Sequence, residues 1–204
     1  MDDFSKEKQI LRAAEEVFLE KGFSASKTVE IADKAGVNHA LLHYYFRTKE
    51  NLFNKVFTEK MDMFIESFEN LFSKNMPLTE LIHSFVEAQF NFFSQNEKLP
   101  YFIIHEMMAN DHHRKIFSEQ FFPKLSHSIE QFNQLLQEEI RKGNIKNVRV
   151  LDLLVSITSL NMFFFVVRPG TKFFPESFSV YHTDQIIEER KQTHIDTILS
   201  WIKK

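Results

Sequence analysis

Four glycines and five prolines are all that punctuate 204 residues. Sandwiches and barrels need turn residues at short intervals and helices need few, so the chain reads as all-α. Periodicity agrees: Ile10, Ala14, Val17 and Phe18 recur at helical spacing, which predicts one stripe over residues 5–22, with Ser5 as cap and Gly22 as the stop. Two short helices follow over 28–35 and 39–45. Gly36 suits the left-handed position that ends the first, and Asn38 can cap the second. Longer helices are expected over 48–73, 77–95, 99–109, 111–143 with a break or kink at Pro123, 149–167 and 184–203. Residues 168–183, with Pro169, Gly170 and Pro175, read as a loop. The organisation expected is a three-helix head over 1–47, joined by a long fourth helix to a helical-bundle body over 48–204.

Composition narrows the function classes. The chain has no cysteine, so it has no disulfide framework and no thiolate nucleophile, and any metal site must rest on His and carboxylates. Residues 1–6 are acidic and polar where a secretion signal would be basic and then apolar, which points to the cytoplasm. The most apolar stretch, 150–167, is interrupted by Asp152 and Asn161, so no membrane span is expected. The four glycines stand alone at 22, 36, 143 and 170. Walker loops, dinucleotide turns and nucleophile elbows are therefore missing, and no cofactor is called for.

Two short helices around a glycine turn, with a third bracing them, make the helix-turn-helix arrangement, whose second helix enters the major groove by its first residues. A plain helical hairpin would share this pattern. Residues 28–53 carry more than the pattern: an Ile31-Ala32 pair, an Ala35-Gly36-Val37 turn, Leu42, the run Tyr44-Tyr45-Phe46, and then Arg47 ahead of Lys49-Glu50-Asn51-Leu52. With Ala13-Ala14, Val17-Phe18 and Gly22-Phe23, this stretch resembles the TetR family of regulators over about the first quarter of the chain.

The resemblance implies a role for each position. Thr28, opening the second helix, grips phosphate. Asn38, His39 and Ala40 form the base-reading front, His43 and Tyr44 the outward aromatic positions, and Lys49 a phosphate contact. Tyr45 either touches phosphate or packs under the head. This chain has His39, Ala40 and His43 where family members often carry Lys, Gly and Tyr, so its base preference stays open. Charge gives little help: residues 1–50 hold eight Lys and Arg against nine Asp and Glu. Any basic footprint must be sorted onto one face.

The body offers three uses. An apolar stripe through Leu154 and Ile157, with Ile187, His194, Ile198 and Trp201 from the last helix, suits a homodimer interface, which the resemblance implies is made by the last two long helices. Two heads about 34 to 36 Å apart would then read a palindrome. The 24 Phe imply either a thick core or a partly unfilled cavity. A cavity lined by Phe90, Phe93, Tyr101, His105, Met108, Phe117 and Phe163 would take a small apolar or aromatic ligand. The reading is a ligand-released repressor on double-stranded DNA. The rivals are a metal-dependent helical enzyme using His105, Glu106, His112 and His113, and a helical adaptor that binds another protein. Ala109 stands where a zincin would place its second His, which weakens the enzyme.

Two histidines at phosphate distance would strengthen DNA binding on gaining a proton. DNA affinity is expected to be higher at pH 6 than at pH 8 at constant salt; equal affinities would remove His39 and His43 from phosphate contact.

Overall fold

The computed structural model describes residues 3–72, 74, 76–173 and 184–204. Ten α-helices are found among them: α1 (Asp3–Ala25), α2 (Thr28–Lys34), α3 (His39–Phe46), α4 (Lys49–Phe72), α5 (Leu78–Gln95), α6 (Leu99–Ala109), α7 (Asp111–Ile116), α8 (Phe122–Arg141), α9 (Val150–Val167) and α10 (Asp184–Ile202). No strand occurs among the described residues, and one isolated bridge joins Ile145 to Lys203. The all-α expectation holds. Ser73 and residues 174–183, parts of an expected helix and loop, lie outside the described residues, and the expected loop opens as a 3₁₀ turn at Arg168–Phe173.

Glycine and proline act where the sequence placed them. Gly22 takes φ 74 and ψ 170 and breaks the path of α1, setting its last three residues apart. Gly36, at φ 64, reverses the chain after α2, as its lack of a Cβ allows. The single long helix expected over 111–143 divides ahead of Pro123. A π-turn at Phe117–Phe121 precedes α8, where Pro123 sits in the first turn and its missing N–H is harmless.

The contacts sort the chain into two compact units. The first holds residues 1–63 and 102–117, the second 64–101 and 118–204. A head closing at residue 47 is therefore only part of a larger unit, because the start of α4 and most of α6 and α7 pack with it.

In the first unit Ile10, Ala14, Val17, Phe18, Ile31 and Leu42 are buried. Phe53 meets Phe18 edge-on at 5.3 Å between ring centres and stacks on His113 at 4.0 Å. In the second unit rings also pair with rings: Phe64 with Phe93 at 5.2 Å, Phe68 with Phe85 at 5.0 Å and Phe90 with Phe165 at 5.0 Å. Each such pair adds about 0.5–1.5 kcal/mol beyond area burial. Much of the phenylalanine surplus is thus ring packed on ring.

One polar hub lies inside the second unit. The amide of Asn161, fully buried on α9, donates to Val86 O and to Gln89 Oε1, both at 3.1 Å. Its oxygen accepts from His194 Nδ1 at 2.9 Å, while Gln89 Nε2 donates to Thr158 Oγ1 at 3.1 Å. An unpaired amide there would cost about 1–3 kcal/mol, so the hub sets the register of α5, α9 and α10 together.

The hub takes up part of the expected dimer face. Ile157, His194 and Ile198 are buried within their own unit, and Leu154 and Ile187 are half-buried. Trp201 alone of the six is exposed. The outward side of α9 carries instead Leu151, Val155, Phe163 and Val167, positions that step round the helix by about 40° for every four residues. α9 is also long and apolar enough to cross a membrane, which the sequence reading discounted because of Asp152 and Asn161. Its inner face packs on α5 and α10 within the second unit.

Of the expected ligand-pocket residues, His105, Met108 and Phe117 fall in the first unit and Phe90, Phe93, Tyr101 and Phe163 in the second. Phe90 and Phe93 are buried among rings, His105 and Phe117 are half-buried, and Tyr101, Met108 and Phe163 are exposed. Helical periodicity turns these last three side chains outward from positions that looked central by composition.

Burial, with the Arg190 charge adding to it, pushes the His194 imidazole down from 6.5 to about 4. The unfolded chain therefore binds the extra proton first as pH falls, and stability is lost between about pH 6.5 and pH 4. The thermal midpoint is expected to drop across that window, with a shallower drop in His194→Gln. The same slope in both proteins would show that the acid sensitivity has another source.

Candidate nucleic-acid interface

The second helix of the turn is built from its cap outward. Asn38 stands before α3 with extended backbone, and its Oδ1 accepts the Leu41 N–H at 2.8 Å, satisfying one of the orphan donors of the first turn. Leu42 and Phe46 are buried beneath α3, while Asn38, His39, Ala40, His43 and Tyr44 are exposed. Tyr45 is half-buried, with its ring 5.5 Å from Tyr44 and 6.2 Å from Phe46. The inner and outer faces thus divide at the spacing a docked helix requires.

Two histidines are ordered at this front. His39 Nε2 lies 2.9 Å from Thr28 Oγ1, which ties the front of α3 to the start of α2. Its ring meets His43 edge-on at 4.4 Å. His43 Nδ1 lies 2.8 Å from the Arg47 carbonyl. A carbonyl only accepts, so Nδ1 carries the proton and, in the neutral ring, Nε2 is left as an acceptor.

After α3 the chain turns sharply. Arg47 has φ 62 and ψ −51, and Thr48 N–H donates to Phe46 O at 2.6 Å. This is a γ-turn of the strained kind, with a non-glycine residue in the left-handed region. It aims α4 away from α3, and the Thr48 side chain accepts the Asn51 N–H at 3.1 Å at the new helix start.

Lys49, expected on phosphate, has other partners. Its ammonium donates to Phe23 O at 2.9 Å and Ser26 O at 3.0 Å, and stands 4.3 Å over the Phe23 ring. Two of its three donors are therefore engaged in the link between α1 and α2, and its first role is to brace that link.

Three acids of the head are held in ion pairs. Lys60 pairs with Glu15 at 2.6 Å, Lys34 with Glu16 at 2.7 Å, and Lys21 with Glu30. The Glu16 carboxylate holds the Lys34 ammonium above its ordinary pKa.

Sequence reasoning missed Glu106, His113 and Glu50 as one cluster. Glu106, buried on α6, accepts the Phe23 N–H at 2.8 Å and His113 Nδ1 at 2.9 Å. His113 Nε2 lies 3.2 Å from Glu50 Oε1. No local signal marked this cluster, since Phe23 and Glu106 are 83 residues apart in the chain. Of the four residues of the metal alternative, Glu106 and His113 bond to one another. His105 lies 3.4 Å from Glu106, and His112 lies 3.4 Å from Glu50. Among the described residues no group of three or more His, Asp and Glu is placed to hold a metal ion. In the second unit, a cleft of about 320 Å³ lined by Asn133, Gln137 and residues 149–152 shares no residue with the expected pocket.

A glycine turn between two short helices, a capped outer helix and an exposed front make up the helix-turn-helix arrangement. Residues 10–56 match the model of the family described as bacterial regulatory proteins, tetR family. The chain is 43% identical over 61 residues to the fatty acid metabolism regulator protein of Bacillus subtilis. That match covers 30% of this chain and 31% of the relative, so the chain spans about a third of it. Solved structures share the fold along nearly the whole chain. PfmR, a TetR family transcriptional regulator from Thermus thermophilus, has a TM-score of 0.70 at 18% identity, over 96% of this chain and 99% of that one. The transcriptional regulator FadR of Bacillus subtilis, solved in complex with stearoyl-CoA, has a TM-score of 0.67 at 22% identity, over 96% and 98%.

Removing the Asn38 cap leaves the first N–H groups of α3 to water. Asn38→Ala is expected to destabilise the protein by about 1 kcal/mol, read from the urea midpoint at unchanged slope, and an unshifted midpoint would show the cap to be idle.

Proposed function

We propose that the protein is a transcription regulator that binds palindromic double-stranded DNA as a homodimer and is released by a long-chain acyl ligand. The exposed front of α3, with Asn38, His39, Ala40, His43 and Tyr44 outward and Leu42 and Phe46 inward, is the observation that carries this reading. Thr28 and Tyr45 flank that front and contact the phosphates, with the remaining donor of Lys49 as a lesser contact. The tetR-family match over the same residues supports it.

Dimerisation uses the outward side of α9. Leu151, Val155, Phe163 and Val167, with Trp201 of α10, are large apolar side chains left exposed in one chain, and a two-fold contact would bury them on both copies. The acyl ligand is suggested by relatives named for fatty acid metabolism and by the stearoyl-CoA held in the FadR structure. Ring-rich packing in the second unit offers an apolar environment for such a chain. The site of action is the cytoplasm, and the activity is regulatory rather than enzymatic.

Labelled duplex from upstream of the protein's own gene is expected to bind with affinity that falls steeply with salt, and stearoyl-CoA is expected to weaken it. Coupling between two sites is typically about 1–3 kcal/mol, or roughly 5- to 150-fold, and it is reciprocal. DNA should therefore weaken stearoyl-CoA binding by the same factor. Salt-independent binding, or none, would favour a helical adaptor; a ligand affinity untouched by saturating DNA would end the release mechanism.

A further inference from the structure

We propose that Glu106 is a positioning residue for the DNA-binding head: a buried carboxylate on α6 that fixes the link between α1 and α2 by holding the Phe23 N–H. The proposal rests on the DNA-binding reading above and adds to it a residue outside residues 10–56.

The link is short and its geometry is demanding. Gly22 turns at φ 74, which frees the Phe23 N–H from the ladder of α1. Glu106 Oε1 takes that N–H at 2.8 Å. A side chain at Gly22 would meet the same oxygen at 3.2 Å and the His105 ring at 3.2 Å, so the close approach of α6 depends on the glycine. On the other side of the residue Lys49 takes the Phe23 carbonyl at 2.9 Å. Phe23 is therefore gripped through both its backbone groups, by α6 at one and by α4 at the other. Ser26 closes the link, its Oγ donating to Gly22 O at 2.6 Å, and α2 starts two residues later with Thr28.

A carboxylate this deep needs compensation. Glu106 is 2% exposed and His113 is 1% exposed. His113 Nδ1 supplies the bond to Glu106 Oε2 at 2.9 Å, and its Nε2 faces Glu50 Oε1 at 3.2 Å. Glu50 follows Lys49 in the first turn of α4. Adjacent residues of α4 thus reach the two halves of one cluster, Lys49 at the Phe23 carbonyl and Glu50 at the histidine that supports Glu106. Moving α6 or α7 must therefore release the Phe23 amide or drag the link with it. Charge-assisted bonds to backbone N–H are the stronger class of hydrogen bond, and replacing this one by a bond to water would loosen the start of α2 against α3.

The test compares wild type, Glu106→Ala and Glu106→Gln in the full chain by amide hydrogen exchange, and by affinity for the labelled duplex from upstream of the protein's own gene. In wild type the Phe23 amide is expected to be protected. Glu106→Ala should speed exchange at least tenfold over residues 22–34 while leaving α5 and α10 unchanged, and should weaken DNA binding at least tenfold. Glu106→Gln keeps an acceptor for the Phe23 N–H and should restore most of both. An unprotected Phe23 amide in wild type, unchanged exchange over 22–34 in Glu106→Ala, or a loss spread equally through α5 and α10 would overturn the proposal. Faster exchange at 22–34 with unaltered DNA affinity would overturn it as well. If Glu106→Ala does not fold, wild type and Glu106→Gln decide: equal protection at Phe23 and DNA affinity within a few-fold support it, and loss of protection in Glu106→Gln overturns it. Should wild type bind no duplex at all, the DNA reading fails, and the exchange pattern still reports separately on whether Glu106 holds the link.

Discussion

The two backbone groups of Phe23 are bonded to side chains from elements far along the chain, the N–H to Glu106 and the carbonyl to Lys49. The Phe23 carbonyl also accepts the Ser26 N–H of its own turn at 3.2 Å. The ring of Phe23 meets Phe53 at 5.0 Å and His113 at 4.9 Å, so the link is a point of convergence for apolar and polar packing. The placement of α2, and with it the platform on which α3 stands, depends on this residue. A three-helix head has little core of its own, and the first unit solves that shortage by drawing in the start of α4 with most of α6 and α7.

The second unit solves a different problem. Its rings would pack against one another in many arrangements of similar energy, because apolar contact has no direction. The Asn161 hub has direction. Its amide and carbonyl are all engaged with α5 and α10, and a rotation of α9 by one position would bury them unpaired. The same register turns Leu151, Val155, Phe163 and Val167 outward together, so the polar hub inside and the apolar side chains outside follow from a single orientation of one helix.

Helix positions in the head were legible because their signals are local. Gly36, Asn38 and the small residues Ala32 and Ala35 act within a turn of where they stand, and the boundaries of α2 and α3 fall within a residue of those expected. The exposed front of α3 was legible for the same reason, since helical spacing with Leu42 and Phe46 inward leaves the others outward. The inward turn of Ile157, His194 and Ile198 was not. A helix as apolar as α9 offers no clean polar face from which to read its orientation, and hydrophobicity alone cannot say which side meets the unit's own core. The outward turn of Tyr101, Met108 and Phe163 escaped notice on the same ground.

Residue types and spacing by themselves determined an all-α chain, a helix-turn-helix near its start and an exposed front at Asn38 to Tyr44, since each rests on interactions within a few residues. Only the tertiary structure decided what Lys49 does, which face of α9 is left outward, and that a carboxylate 83 residues from Phe23 holds its amide. Those outcomes depend on which buried charges and amides find partners. Burial makes that choice energetically decisive, and pairs so distant in the chain leave no periodic trace by which it could be read.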